Sequence, residues 1–148
     1  MSALADRISN DLKDAMRAGD VLRRETLRMV IAGLKNRRIE LGEELDDDAV
    51  RGVLQKALKG RNEAAQQFAD AGRDELAAKE RAEGEVIQAY LPQPMTEDET
   101  REAVGKLAGE LGLSKKSEMG QLMKAVMAAH TGRVDGKTVS RIAGELLE

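Results

Sequence analysis

The chain has 148 residues, of which 34% are charged, 41% are hydrophobic and 1% are aromatic. This composition is typical of a helical globular protein, because sandwiches and barrels need β-branched and aromatic residues at alternating positions. Cysteine is absent, which excludes disulfides and thiolate metal sites. The single histidine, His130, excludes a multi-histidine site. The sequence therefore predicts an all-α protein with no metal site and no cofactor.

The net charge is −3, from 24 basic and 27 acidic side chains. Neither the part up to Leu91 nor the part after it has the basic excess of a typical non-specific nucleic-acid binder, so any anion site must be local. No run approaches the roughly 20 apolar residues of a membrane span. The first seven residues also lack the pattern of a secretory signal. We therefore expect a cytoplasmic protein with no membrane partner.

Apolar periodicity predicts about four helices in the first 91 residues. Serine and aspartate caps mark helix starts, and glycines mark most of the ends. The predicted bounds are Ser2 to Gly19, Asp20 to Gly42, the acidic cluster 46–48 to near Gly72, and a fourth helix carrying apolar residues from Leu76 to Leu91.

Two glycines, Gly33 and Gly60, lie inside these predicted helices. Each costs about 1 kcal/mol relative to alanine, so each needs a reason. We expect close helix–helix approach at both positions in preference to a functional hinge.

Both prolines of the chain fall in the segment 92–94, where they interrupt the helical pattern. Thr96 and Glu99 then form a capping-box signature, which predicts a new helix start. We therefore predict an N-terminal helical domain at residues 1–91 and a small three-helix domain at residues 92–148. The predicted ends of the three helices are Gly112, Gly132 and the last residues of the chain, with Asp135 capping the third.

The first candidate binding surface is basic and lies on the second predicted helix. Its residues are Arg23, Arg24, Arg28, Lys35, Arg37 and Arg38. At 100° per residue, Arg24, Arg28, Lys35 and Arg38 fall on one strip beside the apolar face. The strip is either a surface that binds consecutive phosphates or a solvated helix face whose arginines and lysines pair with acids. The second interpretation is favoured.

The second candidate is the glycine-bounded turn 132–137, which leads into the last predicted helix. Arg133 and Lys137 stand beside backbone N–H groups that could meet a phosphate. Asp135, as N-cap, would occupy those donors and repel an anion, so a plain capped turn is the favoured alternative. Three lysines add positive charge around the preceding helix: Lys115, Lys116 and Lys124.

Methionines recur every fourth residue at Met119, Met123 and Met127. Such a stripe is either an adaptable binding surface or core filling, and core filling is favoured. No catalytic constellation is present: His130 lies near a predicted helix end, where the helix dipole explains it, and no P-loop or Rossmann glycine pattern occurs. We predict no self-sufficient active site and no catalytic residue.

Several short motifs in a fixed order resemble the YqeY family over nearly the whole chain. In the N-terminal part and at the break they are Arg28-Met29-Val30, Leu34-Lys35-Asn36, Glu40, Gly72-Arg73 with Leu76, Tyr90-Leu91-Pro92 and Met95-Thr96-Glu97. In the tail they are Met119-Gly120, Met123, Gly132-Arg133 and Asp135-Gly136.

The resemblance implies a stand-alone relative of the C-terminal region of the B subunit of glutamyl/aspartyl-tRNA amidotransferase, a region regarded as a tRNA-contacting tail. It implies an all-helical fold and a tRNA-binding-like accessory role. The candidate tRNA contacts that it implies are Gly120, Gly132, Arg133 and Gly136, with Lys124 and Lys137 as neighbouring charges. Lys115 and Lys116 complete the predicted nucleic-acid-binding set. The family pattern carries no catalytic residue to this chain.

Two alternatives remain open at this point. One is a protein-interaction module of the translation machinery, marked by an exposed apolar patch. The other is a component of a carbon–nitrogen ligase with glutamine as amide donor, which would need an amidase partner. With Phe68 and Tyr90 as the aromatics, base stacking is nearly excluded, so RNA binding would read the backbone and depend strongly on salt. Phosphate binding also predicts that five cations lie close together in the folded protein, with few acids between them: Lys115, Lys116, Lys124, Arg133 and Lys137.

Overall fold

A computed structural model describes residues 2–148, and their regular structure is entirely helical. This confirms the predicted all-α class. The helices are α1 (Ala3–Ala18), α2 (Val21–Leu41), α3 (Asp47–Asp70), α4 (Asp74–Gln88), α5 (Glu97–Leu111), α6 (Met119–Ala129) and α7 (Gly136–Leu146), and a 3₁₀ turn at Lys116–Glu118 precedes α6. The chain divides into two compact units, and the boundary in the sequence falls between Leu91 and Pro92.

The first three helices begin at the caps that the sequence predicts. The side chains of Ser2, Asp20 and Asp46 accept hydrogen bonds from backbone N–H groups three residues later, at 3.0, 3.1 and 2.8 Å. The glycines that end α1 and α2, Gly19 and Gly42, adopt the left-handed conformation with φ of +70°. These helix ends therefore follow from local hydrogen bonding alone.

In the N-terminal unit, helices α1–α4 surround a core in which Ile8, Leu27, Val50 and Leu54 are fully buried. Tyr90 closes this core just after α4 and is 6% exposed. Its hydroxyl donates to Asp11 at 2.5 Å, and the guanidinium of Arg7 lies 4.8 Å from its ring centroid. Burial, reinforced by the Asp11 carboxylate, raises the pKa of Tyr90 to about 12.

A charged cluster lies between α3 and α4. Arg61 Nη1 is 3.0 Å from Glu80 Oε2 and 2.8 Å from Glu83 Oε2. Its Nη2 lies 2.9 Å from the sulfur of Met29 on α2. Glu83 is buried, and its Oε2 makes no hydrogen bond of good geometry, so its attraction to Arg61 is chiefly electrostatic. One guanidinium therefore connects three helices of this unit.

The two helical glycines differ in their surroundings. A Cβ at Gly33 would lie 3.4 Å from Val53 Cγ1, which agrees with close approach of α2 and α3. A Cβ at Gly60 would meet nothing within 4 Å, so the interpretation of close approach is wrong there. The tightest glycine is Gly84 on α4, where a Cβ would lie 3.3 Å from Leu58 Cδ1 on α3.

In the C-terminal unit, α5–α7 surround Val104, Leu122, Val126 and Ile142, all fully buried. The Thr96 hydroxyl accepts from Glu99 N at 3.1 Å, as the capping-box signature predicts. Two residues of the methionine stripe, Met119 and Met123, pack against this core, which confirms core filling for both. Met127 is 37% exposed, so core filling does not explain this third methionine. The second helix of the unit ends at Ala129, three residues before the predicted Gly132, because the connection to α7 begins with a turn.

Candidate nucleic-acid interface

In the turn between α6 and α7, the side chain of Asp135 caps the N-terminus of α7. Asp135 Oδ1 accepts from Lys137 N at 3.4 Å, and Asp135 Oδ2 accepts from the Thr138 hydroxyl at 3.2 Å. The carboxylate therefore occupies the start of α7, and the geometry favours the capped-turn interpretation over a phosphate loop. Gly132 has φ of +77°, a conformation that side-chain-bearing residues rarely adopt, so its glycine is explained by the turn.

Arg133 holds the turn against the segment that precedes α5. Its Nε donates to the carbonyl oxygen of Gln93 at 2.8 Å, and its own carbonyl accepts from Met95 N at 2.8 Å. Its Nη2 also lies 4.0 Å from Glu99 Oε2. The side chain predicted as a tRNA contact is thus engaged in joining two segments of this unit.

Two further arginines of the unit are neutralised by a network between α5 and α7. Arg101 Nη1 lies 2.8 Å from Glu145 Oε2, and Arg141 Nη2 lies 2.7 Å from Glu97 Oε1. The hydrogen bond from Arg101 lowers the pKa of Glu145. The same ion pairs raise the pKa of both guanidinium groups. This face of the unit therefore offers no free cation at Arg101 or Arg141.

The lysines behave differently from the arginines. Lys115, Lys116, Lys124 and Lys137, which we name the lysine set, all have exposed side chains. Within residues 2–148, none of them has a carboxylate oxygen within 4.0 Å. Their charges are therefore available to an external anion.

Acidic residues are nearly absent from the segment that carries most of this set. Between Leu111 and Val134 the sequence has one acid, Glu118. Glu118 Oε1 accepts from the N–H groups of Ser114 and Lys115 at 3.2 and 3.0 Å, so its carboxylate serves the local turn. The five acids Glu97, Asp98, Glu99, Glu102 and Glu110 all lie on α5. Negative charge is thus concentrated on α5 and positive charge in the segment around α6. This separation is visible in the sequence, but the net charge summed over the whole part after Leu91 hides it.

The lysine set is spread along the unit. Backbone bonds from Lys116 N to Glu148 O and from Glu148 N to Ser114 O, 3.0 and 2.8 Å long, place Lys115 and Lys116 beside the C-terminal end of α7. Lys137 and Gly136 open α7 at its other end, about 16 Å away for an 11-residue helix. Gly120 and Lys124 are exposed and one turn apart on α6. The structure therefore does not bring the five predicted cations to one point, and the arrangement suits an extended anion.

Most of the basic surface on α2 is paired with acids. Arg24 and Arg28 lie 3.0 and 3.4 Å from the same Glu25 carboxylate, and Arg37 lies 2.9 Å from Glu40. Arg38 lies 3.4 Å from Glu44. Within residues 2–148, the exposed side chains of Arg23 and Lys35 have no carboxylate oxygen within 4.0 Å. The four paired arginines favour the interpretation of a solvated helix face.

Two kinds of feature are absent from residues 2–148, a metal-binding cluster and a membrane-spanning helix. No group of three or more histidine, aspartate or glutamate side chains is arranged to hold a metal ion. No helix in the described part of the chain is both long and apolar enough to cross a bilayer.

The fold and the lysine set define a small all-helical protein with a segregated basic region. The model of the YqeY family, described as "Yqey-like protein", matches residues 5–147. The chain therefore belongs to the YqeY family, which confirms the resemblance.

Curated relatives carry the name "Altered inheritance of mitochondria protein 41, mitochondrial". The protein from Pyrenophora tritici-repentis is 31% identical over 144 residues, covering 95% of this chain and 79% of that protein. The protein from Lachancea thermotolerans is 35% identical over 113 residues, covering 74% of this chain and 60% of that protein. The protein from Eremothecium gossypii is 36% identical over 85 residues, covering 57% and 46%. The matches to the last two thus span about half of those proteins.

Proposed function

We propose that this YqeY-type protein is an accessory module of translation that binds the phosphate backbone of tRNA through the lysine set and has no active site of its own. One observation supports this above the others. The segment 111–134 carries three exposed lysines, none with a carboxylate oxygen within 4.0 Å among residues 2–148, and one acid, whose carboxylate is already used by a local turn. Such a segment attracts a polyanion, although the whole chain is acidic.

The chemistry of the surface supports recognition of backbone and shape. Tyr90 is buried against Asp11, so it offers no platform for a base. Lysine is a point charge that pairs with phosphate without reading sequence. Exposed Gly120, one turn before Lys124, adds no side chain that would hold a phosphate away from α6. We expect modest affinity with a steep dependence on salt.

The experiment is binding of bulk tRNA at low and at physiological salt to the wild type and to Lys116→Gln/Lys124→Gln. Each phosphate contact contributes about one to the slope of log affinity against log salt, so the double variant should lower that slope by about two. Lys106→Gln is the matched control, because Lys106 is an exposed lysine on the acidic helix α5. Arg133→Ala is unsuitable, since it also breaks the bond to Gln93.

Absence of binding at low salt, or equal losses in the double variant and the control, would overturn this proposal. A protein-interaction role then becomes the leading alternative, and exposed Met127 beside the basic region favours it. A glutamine-dependent ligase component stays a third possibility, tested by co-elution with an amidase subunit. The relatives' names place those proteins in mitochondria, whereas we predict a cytoplasmic address for this chain, which cell fractionation would test.

A further inference from the structure

An open groove of about 770 Å³ runs between α2 and α3 in the N-terminal unit. Its α2 wall consists of Gly33, Asn36, Arg37, Glu40 and Leu41. These residues follow the spacing i, i+3, i+4, i+7, i+8, which is one complete face of a helix. Leu41 is 43% exposed although it lines the groove, so this end lies open to solvent.

The α3 wall repeats that spacing with Ala49, Gly52, Val53, Lys56 and Ala57. Three of these five side chains are glycine or alanine, so the backbone of α3 is accessible from the groove. A Cβ at Gly52 would meet nothing within 4 Å, which places open space directly above it. Each wall extends over eight residue steps, or about 12 Å, the length of roughly two helical turns.

The shape and chemistry of the walls favour a helix as the occupant. Two walls with the same helical period accept the side chains of a third helix packed along them. Gly52 on α3, with open space at its Cβ position, allows the backbone of that helix to approach closely. A compact ligand would instead need convergent polar groups, and the polar pair Arg37 and Glu40 is satisfied internally at 2.9 Å.

The charges around the groove define the polar edge of that helix. Lys56 is exposed and, among the residues that the structure describes, has no carboxylate oxygen within 4.0 Å. The segment 49–62 contains no acid. The opposite end of the groove, beside Leu41 and Ala49, adjoins three acids of the α2–α3 connection, Glu43, Glu44 and Asp46, and two acids in the first turn of α3, Asp47 and Asp48. A helix dipole is therefore favoured with its N-terminus at the acidic end and its C-terminus at Lys56.

We infer that this groove binds an amphipathic helix of a partner protein, with small apolar residues facing α2 and α3 and acidic residues in the C-terminal turns that meet Lys56. The inference does not depend on tRNA binding, because the groove and the lysine set lie in different units. It gives the chain a second surface, specific for protein.

The test uses two labelled, helix-forming synthetic peptides with the same alanine–leucine face. One carries glutamates in its C-terminal turns and the other carries lysines there. Fluorescence anisotropy should show that the wild type binds the glutamate peptide about tenfold more tightly than the lysine peptide. Lys56→Glu should reverse this preference, because it changes the charge at the rim without filling the groove.

A steric pair of variants tests the location. Gly52→Leu should abolish binding of the glutamate peptide by occupying the groove. Gly60→Leu is the matched control, because Gly60 is also an exposed glycine of α3 with open space at its Cβ but does not line the groove. Circular dichroism of both variants confirms that the helices form.

Three results would overturn the inference: no binding of either peptide, equal binding of both, or equal effects of Gly52→Leu and Gly60→Leu. A dimer of the wild type that Gly52→Leu dissociates would also overturn it, since the occupant would then be a second copy of the chain. A wild type that binds the glutamate peptide but not tRNA would support the groove inference and reject only the tRNA-binding function proposed above.

Discussion

The two units of the chain use the same building principle and distribute charge in different ways. In the N-terminal unit four arginines of α2 lie within 4.0 Å of an acid on α2 or just after it, so most of the positive charge of this helix is compensated locally. Arg23 and Lys35 are the members of that basic surface without such a partner among residues 2–148. In the C-terminal unit the acids concentrate on α5, while the lysine set has no acidic partner in the part of the chain that the structure describes. Similar net charge in two regions therefore says little about which region attracts an anion.

The interiors differ as well. The N-terminal unit buries Glu83 beside Arg61 and encloses Tyr90 with a bond to Asp11. The buried polar residue of the C-terminal unit is Thr100, whose hydroxyl donates to Thr96 O at 2.8 Å within its own helix. Ion pairing across helices thus contributes to the first interior, whereas the second is stabilised by apolar packing. Four predictions test this contrast.

The largest expected effect is from deletion of a buried leucine in each core. Leu54→Ala and Leu122→Ala should each cost about 2–5 kcal/mol, because both side chains are fully buried. Tyr90 is the single tyrosine, and the chain has no tryptophan, so its fluorescence during denaturation reports on the N-terminal unit. Leu122→Ala should shift the circular dichroism transition while leaving the Tyr90 midpoint in place. Equal shifts of both signals would show that the two cores unfold as one.

Arg61→Ala should destabilise the N-terminal unit by about 3 kcal/mol, measured by urea denaturation, because Glu80 and Glu83 lose their shared counter-charge while partly buried. The control is Arg37→Ala, which removes an exposed ion pair with Glu40 and should cost less than about 1 kcal/mol. Similar costs for both variants would contradict a special role for the Arg61 cluster.

Alkaline pH should weaken the N-terminal unit through Tyr90. The folded-state pKa of about 12 lies above the ordinary value of 10.0, so the stabilising contribution is complete below pH 10 and is lost as pH rises toward 12. The difference between these two pKa values corresponds to at most roughly 2–3 kcal/mol of stability. Spectrophotometric titration of this single tyrosine measures the pKa directly. Tyr90→Phe should remove the pH dependence of stability in this range, and its persistence would assign it to other groups.

The smallest expected effect separates two glycines inside helices, Gly60 on α3 and Gly84 on α4. Gly60→Ala should stabilise the protein by about 0.5–1 kcal/mol, because alanine favours the helix and its Cβ enters open space. Gly84→Ala should show no such gain, because its Cβ would lie 3.3 Å from Leu58 Cδ1 and require that side chain to move. Thermal unfolding of both variants measures the difference. An equal stabilisation by Gly84→Ala would show that the Leu58 side chain moves away from the added Cβ without destabilising the contact between α3 and α4.

The candidate interface was only partly accessible to sequence reasoning. Residue type identifies Lys124 and its neighbours as candidate contacts, and within residues 2–148 they are exposed with no carboxylate oxygen within 4.0 Å. The same reasoning selects Arg133, yet its guanidinium binds the carbonyl of Gln93, 40 residues earlier in the chain. Residue type reveals a charge, whereas the partner of that charge depends on how distant segments pack.

The sequence by itself determined the helices, their caps and the family, because these depend on residues within about one helical turn of each other and on motifs in fixed order. Ser2, Asp20 and Thr96 begin helices as predicted for this reason. Only the tertiary structure decided that a Cβ at Gly33 would lie against Val53 whereas one at Gly60 would enter open space. It also decided that, within residues 2–148, the arginines of the C-terminal unit have carboxylate partners while its exposed lysines have none. It created the groove between α2 and α3, whose walls come from two different helices. Each of these features requires side chains that are far apart in sequence to lie within a few ångströms, and no local pattern encodes that distance.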